Sequence, residues 1–234
     1  MSGEAMTTEM VPVQGALIAV AFKRSSRARR VSLRIDPAQG VVITLPLRSS
    51  RRAGLALLHA HEDWVSERLE ALPQKLALEP GATVPVHGRP HEIQHIPGGR
   101  GGAWIEEGRI LVTGQPEFLA RRVSDCLKRL ARQHLTAMAV ETAQRADLRP
   151  KTVRIKDTRS RWGSCAPDGT LAFCWRLICA PAFVQDYVVA HEVAHLRHMN
   201  HGPQFWHLTE QLTPHRPAAT AWLASDGVRL LRIG

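Results

Sequence analysis

Residues 181–206 read PAFVQDYVVAHEVAHLRHMNHGPQFW, and the fold and chemistry of the 234-residue chain turn on this stretch. Pro181 is placed to open a helix, because a proline at the first helical position gives up no hydrogen bond and already has a helical φ. Phe183, Val184, Tyr187, Val188 and Ala190 supply an apolar face with helical spacing that runs into His191-Glu192-Val193-Ala194-His195. Gly202-Pro203 marks a stop, so the pattern predicts a helix of roughly twenty residues.

On a helix, side chains four apart lie one turn up the same face, so His191 and His195 can converge on one divalent ion. Glu192 is displaced around the helix, where it reaches a water on that ion without displacing it, the position of a general base. A zinc ion lowers the pKa of its water toward ~7 and polarises a scissile carbonyl. The third ligand has four candidates. His198 shares the helical stripe, but at 1.5 Å rise per residue its Cα lies about 10 Å from that of His191, which suits a place behind the ligands or in solvent. His201 follows His195 by six residues, a spacing known from zinc enzymes that carry glycine where this chain has His198. Glu210 would complete a set of two histidines and one glutamate, and His207 is the remaining alternative. His201 is the favoured one.

The five-residue pattern occurs twice. His91-Glu92-Ile93-Gln94-His95 has Pro90 before it, Pro97-Gly98-Gly99-Arg100-Gly101-Gly102 after it, and strand-like alternation around it. In a strand its two histidines stand about 13 Å apart at ~3.3 Å per residue, too far to share an ion through ~2 Å bonds. This copy reads as a strand, not a metal site.

Outward from the motif, Val31, Leu33 and Ile35, then Val41, Ile43 and Leu45, alternate as two strands joined by the turn Asp36-Pro37-Ala38-Gln39-Gly40. Residues 51–71 have helical periodicity, with Leu55, Leu58, Trp64, Val65 and Leu69 on one broad stripe. Short strands are expected over 83–113 and a long amphipathic helix from Pro116 to Arg145. Strands follow at Thr152–Lys156 and Thr170–Trp175, with Arg161-Trp162-Gly163-Ser164-Cys165 before the second. Three parts result: a disordered N-terminus (1–12), a β-rich N-terminal subdomain with one helix (13–114) and a catalytic subdomain (115–234).

Composition narrows the classes. An apolar fraction of 44% supports a real core, and no apolar run reaches the ~18 residues that a membrane span requires. Ala16–Phe22 is apolar but short, and it follows Glu4 and Glu9 rather than a basic leader, so no secretory signal is expected. Four cysteines without a C-x-x-C pair suit free thiols in a reducing cytoplasm. Net charge is +10, and residues 21–52 hold nine Lys or Arg against Asp36 alone. Such a balance attracts polyanions, nucleic acid included; a solvated basic face is the alternative.

Taken in order, Arg161–Cys165, Trp175-Arg176-Leu177-Ile178, Ala180-Pro181, Asp186-Tyr187-Val188-Val189, His191–His195, His198-Met199-Asn200-His201 and Phe205-Trp206 resemble the YgjP-like metal-dependent hydrolases, a group similar to the SprT-like and WLM zinc peptidases. The basic hairpin and Val86-His87-Gly88-Arg89 resemble that family's N-terminal part. The resemblance implies an α+β fold, with a zincin-like metallopeptidase core and a β-rich N-terminal subdomain. It implies one zinc ion on His191, His195 and His201, Glu192 as the catalytic residue, and a polypeptide substrate laid along the strand before the active helix. Two other functions are weighed beside it: hydrolysis of nucleotides or other small molecules by the same metal, with Lys156, Arg159 and Arg161 near the site, and nucleic-acid association through residues 21–52. Arg161 and Arg176 either bind a substrate anion or orient buried carboxylates such as Asp186. Gly163 is expected to adopt a backbone conformation closed to other residues, while Tyr187 and Trp162 are expected in the core.

Overall fold

The computed structural model describes residues 6–37, 39–99 and 101–234 and divides into two units, Met1–Pro73 and Gln74–Gly234. In the first unit, Gln14 and Gly15 both have positive φ (48° and 80°), the backbone of a two-residue hairpin turn. This turn joins β1 (Met6–Val13) to β2 (Ala16–Ser25). Residues 6–12 are therefore a strand, not the disordered segment expected from sequence; residues 1–5, like Ala38 and Arg100 in two of the expected turns, lie outside the described residues. Only Val11 and Val13 of β1 are buried, so its alternation is too short to stand out in the sequence.

The expected hairpin is present as β3 (Ser32–Asp36) and β4 (Gly40–Pro46), and β4 also pairs in parallel with β2, giving the order β1-β2-β4-β3. Two helices, α1 (Arg51–His59) and α2 (Glu62–Glu70), replace the single one expected over 51–71, because His61 leaves helical geometry at φ −130°, ψ 28°. Ser50 caps α1 by accepting the Ala53 N–H at its hydroxyl. Phe22, Ile43, Leu45, Leu58 and Val65 form the centre of this unit's own core.

The second unit opens with β5 (Thr83–Val86), β6 (Arg89–Ile96), β7 (Ala103–Glu106) and β8 (Arg109–Thr113), in the order β5-β6-β8-β7. A 3₁₀ turn at Pro116–Phe118 leads into α3 (Leu119–Gln144). Then come β9 (Thr152–Lys156), β10 (Gly163–Cys165), β11 (Thr170–Cys174), a 3₁₀ segment Trp175–Cys179, α4 (Ala182–Ala194), α5 (Pro203–Leu212), α6 (Arg216–Ser225) and α7 (Gly227–Leu231).

Helix α3 organises this unit. Leu119, Val123, Leu127, Ala131, Leu135, Ala139 and Ala143 are all buried, one every fourth residue. Each step of four overshoots a 3.6-residue turn by about 40°, so the apolar stripe winds around the helix. It meets different neighbours in turn: β7 and β8, the 3₁₀ segment, α4 and β9. Val84, Ile93, Ile110 and Val112 of the β5–β8 sheet share one core with α3, α4 and α5. The division accordingly falls at Pro73/Gln74 and not at the 114/115 boundary expected from the change in local pattern.

The second sheet has the order β10-β11-β9, with β11 antiparallel to β10 and parallel to β9. The strand before the active helix, β11, is thus central and cannot be the free edge expected there; beside α4 that edge is β10. Arg176 is 1% exposed and serves the scaffold. Its Nε donates to the Ile233 carbonyl (2.9 Å), its Nη1 to Asp157 Oδ1 (2.5 Å), and its guanidinium lies over the Trp175 ring. Asp186 is not its partner; that carboxylate accepts the Thr213 hydroxyl. Among the described residues, no helix is long and apolar enough to cross a membrane.

Candidate metal centre

Helix α4 is anchored at its start by Gln185, fully buried, whose Nε2 donates to the carbonyls of Ala180 (2.7 Å) and Ile178 (3.3 Å). It ends earlier than the sequence predicts, at Ala194 rather than near Gly202. The last turn tightens, with the N–H of Leu196 on the Val193 carbonyl and that of Arg197 on Ala194. The chain then runs irregularly to Gly202, where Pro203 forces an extended residue before starting α5. This early break carries His201 back over the face that bears His191 and His195.

The nitrogens of His191, His195 and His201 lie within 4.8 Å of one another. His191 Nε2 and His201 Nε2 are 3.1 Å apart. Two nitrogens each ~2.0–2.1 Å from one ion at a tetrahedral angle stand ~3.3 Å apart, so this pair is spaced to share one metal ion. Among the described residues no other group of three histidine, cysteine or acidic side chains is gathered so closely. His195 is oriented through its other nitrogen, Nδ1, which meets the main-chain carbonyl of His198 at 3.0 Å and leaves Nε2 for the site. His198 therefore contributes its backbone and not its ring. Glu210 is engaged by Arg216 (2.8 Å) and His207 by Gln211 (3.1 Å), and neither belongs to the gathered group. In the second copy of the motif, on β6, His91 and His95 bond the carbonyls of Arg89 and Gly114 respectively.

Phe205, fully buried on α5, is the floor of the cluster, its ring centroid 4.9, 4.5 and 4.7 Å from those of His191, His195 and His201. His191 Nδ1 is buried without a hydrogen-bond partner, so that ring is held by packing. Burial, then the neighbouring His195 and His201, lowers its pKa to about 4, and burial lowers that of His195 too. Both rings are neutral near pH 7, the form that donates a lone pair to a metal.

Glu192 is 7% exposed, and burial pushes its pKa up to about 7, opposed in part by the charge of Arg161. Gly163 on β10 is pressed against it: a Cβ there would stand 2.5 Å from Glu192 Cγ and 2.6 Å from Oε1. Gly163 does not have positive φ. Its role is close approach, not the special backbone conformation expected. Cys165, two residues on, has its thiol pushed up to about 11 by burial and then by the charges of Glu192 and Asp168, so it stays protonated.

Besides Phe205, three side chains around the cluster were not assigned to it from sequence. Tyr187 is buried, but its ring packs edge-on against His191 (5.8 Å). Trp206 lies 5.9 and 5.5 Å from the His191 and His201 rings, and the Arg216 guanidinium stacks on it at 3.7 Å. Helical spacing identified the one-turn neighbour Tyr187 as core, and nothing in the sequence pointed to Arg216, which arrives from α6.

With this geometry in place, comparison with known families is decisive: the model of the YgjP-like, metallopeptidase domain matches residues 29–226. The chain belongs to the YgjP-like family. No curated protein and no solved structure matches it. A YgjP-like domain is a metal-dependent peptidase domain in broad class, and the histidine cluster is a group able to hold its metal.

Proposed function

We propose that the chain is a zinc-dependent peptidase acting on flexible or unfolded polypeptide, with one zinc ion on His191, His195 and His201 and Glu192 moving the proton. The observation that supports this most is three convergent imidazoles beside a buried carboxylate supplied by the neighbouring residue. Zinc, when bound, supplies a Lewis acid for the scissile carbonyl and acidifies the attacking water. Glu192, with a pKa raised to about 7, is basic enough to take the proton of that water and acidic enough to return it to the leaving amine. The free edge of β10 offers backbone groups to an extended substrate. Gly163 belongs to that edge and touches Glu192, so a chain paired there passes beside the carboxylate. The four free thiols suit a reducing compartment, and a cytoplasmic location goes with this reading.

The test is Glu192→Gln assayed on an unfolded casein-type substrate, with zinc measured by mass spectrometry. The variant is expected to keep its zinc and lose cleavage by about 10²-fold or more. Undiminished cleavage removes Glu192 from the mechanism. Turnover of nucleoside triphosphates by the parent enzyme, with no polypeptide cleavage, would overturn the substrate assignment.

A further inference from the structure

The first unit holds a groove for which peptide hydrolysis has no use. It lies between the start of β3 and the corner joining α1 to α2, has a volume of about 530 Å³, and is lined by Arg30, Val31, Leu33, Leu57, His61 and Trp64. Trp64 is 40% exposed. The sequence placed it on the core stripe, but adjacent residues of a helix point ~100° apart, and in α2 it is the next residue, Val65, that fills the core. A broad aromatic face is left in a concave site whose aliphatic walls are Val31, Leu33 and Leu57.

The charged side chain that lines the groove is basic. That residue is Arg30, and no carboxylate lines the groove. Arg27 and Arg29, exposed in the same loop, have no acidic partner among the described residues, whereas Arg34 pairs with Asp36 and Arg51 with Glu9. The two acids just before Trp64 are not among the lining residues, and their carboxylates are hydrogen-bonded, Glu62 with His59 and Asp63 with Gln14.

We propose that this groove binds single-stranded nucleic acid, one base stacking on Trp64 and the flanking phosphates lying on Arg27, Arg29 and Arg30. Stacking on an aromatic face contributes ~1–3 kcal/mol per base and needs a base free of its own stack, which a duplex does not offer. The volume falls within the ~300–1,000 Å³ of small-ligand sites, room for a nucleotide unit. An acidic peptide would satisfy the arginines but leave the ring face and the aliphatic walls unused.

The experiment is fluorescence anisotropy of the full chain with a labelled oligothymidine of about 20 nucleotides, a duplex of equal length, and polyglutamate as competitor. Expected are tighter binding to the single strand than to the duplex and no effective competition by polyglutamate. Trp64→Phe should bind, while Trp64→Leu, apolar but without a ring, should lose about tenfold. Replacing Arg27, Arg29 and Arg30 by Gln should flatten the slope of log K against log salt by about 2. Thermal melts of each variant check folding. Equal affinity for the duplex, competition by polyglutamate, or a Trp64→Leu variant that binds as the parent does would each overturn the proposal.

Discussion

Substituting Gly163 by alanine tests how tightly the position of the Glu192 carboxylate is set. The added methyl would lie 2.5 Å from Glu192 Cγ and 2.8 Å from Cδ, where ordinary contact begins at 3.4 Å, so the side chain must retreat by about 0.9 Å. Alanine tolerates the backbone there, since Gly163 is not in the left-handed region, so the perturbation is confined to the close approach. A misplacement of ~1 Å costs on the order of 10²-fold in rate, and overpacking costs ~1–3 kcal/mol in stability. The assay is kcat on an unfolded protein substrate, beside zinc content and a urea melt. Zinc should remain at the parent level, because the three atoms nearest the new methyl all belong to Glu192 and none to an imidazole, while kcat falls about 10²-fold. A folded, zinc-loaded Ala variant with the parent's kcat would refute the claim that Gly163 positions the base.

Removing the floor of the cluster by Phe205→Ala should cost ~3–5 kcal/mol in a urea melt and weaken zinc binding, since three rings lose the surface against which they pack; unchanged zinc affinity would show that the imidazoles are held otherwise. The raised pKa of Glu192 makes a signed prediction for metal-free protein: it contributes stability below the unfolded value of 4.5 that is lost as pH rises through about 7, when the buried carboxylate must ionise. Glu192→Gln, which cannot ionise, should therefore be more stable than the parent by about 3 kcal/mol at pH 8 and no more stable at pH 4.5, and a difference independent of pH would contradict burial as the cause. The double variant His91→Ala, His95→Ala should keep its zinc, whereas His201→Ala should lose it; metal analysis of the two proteins decides between the copies of the motif.

The helix pair His191 and His195 was legible because the chemistry and the helical period are both local. The strands β3, β4, β9 and β11 were legible for the same reason, each being a short alternation closed by turn residues. What was not legible depends on groups distant in sequence. No glycine announces the end of α4 at Ala194, since the turn is closed by main-chain bonds and by the His195 ring on a carbonyl three residues on. Gly163 could be singled out but not explained, because its reason is a side chain 29 positions later. The second unit begins at Gln74 because β5–β8 share the core of α3, a fact of packing that no change of composition marks. Trp64 was misplaced by drawing one stripe through residues 51–71, where the helix breaks at His61.

The contact of the His195 ring with the carbonyl of residue 198 has a consequence for engineering the loop. A main-chain oxygen survives every substitution at its own position, so saturation mutagenesis should find residue 198 permissive to nearly any side chain. The contact depends on loop length instead: inserting or deleting a single residue between 195 and 201 moves the acceptor away from the ring it orients and changes the reach of the third imidazole in the same stroke.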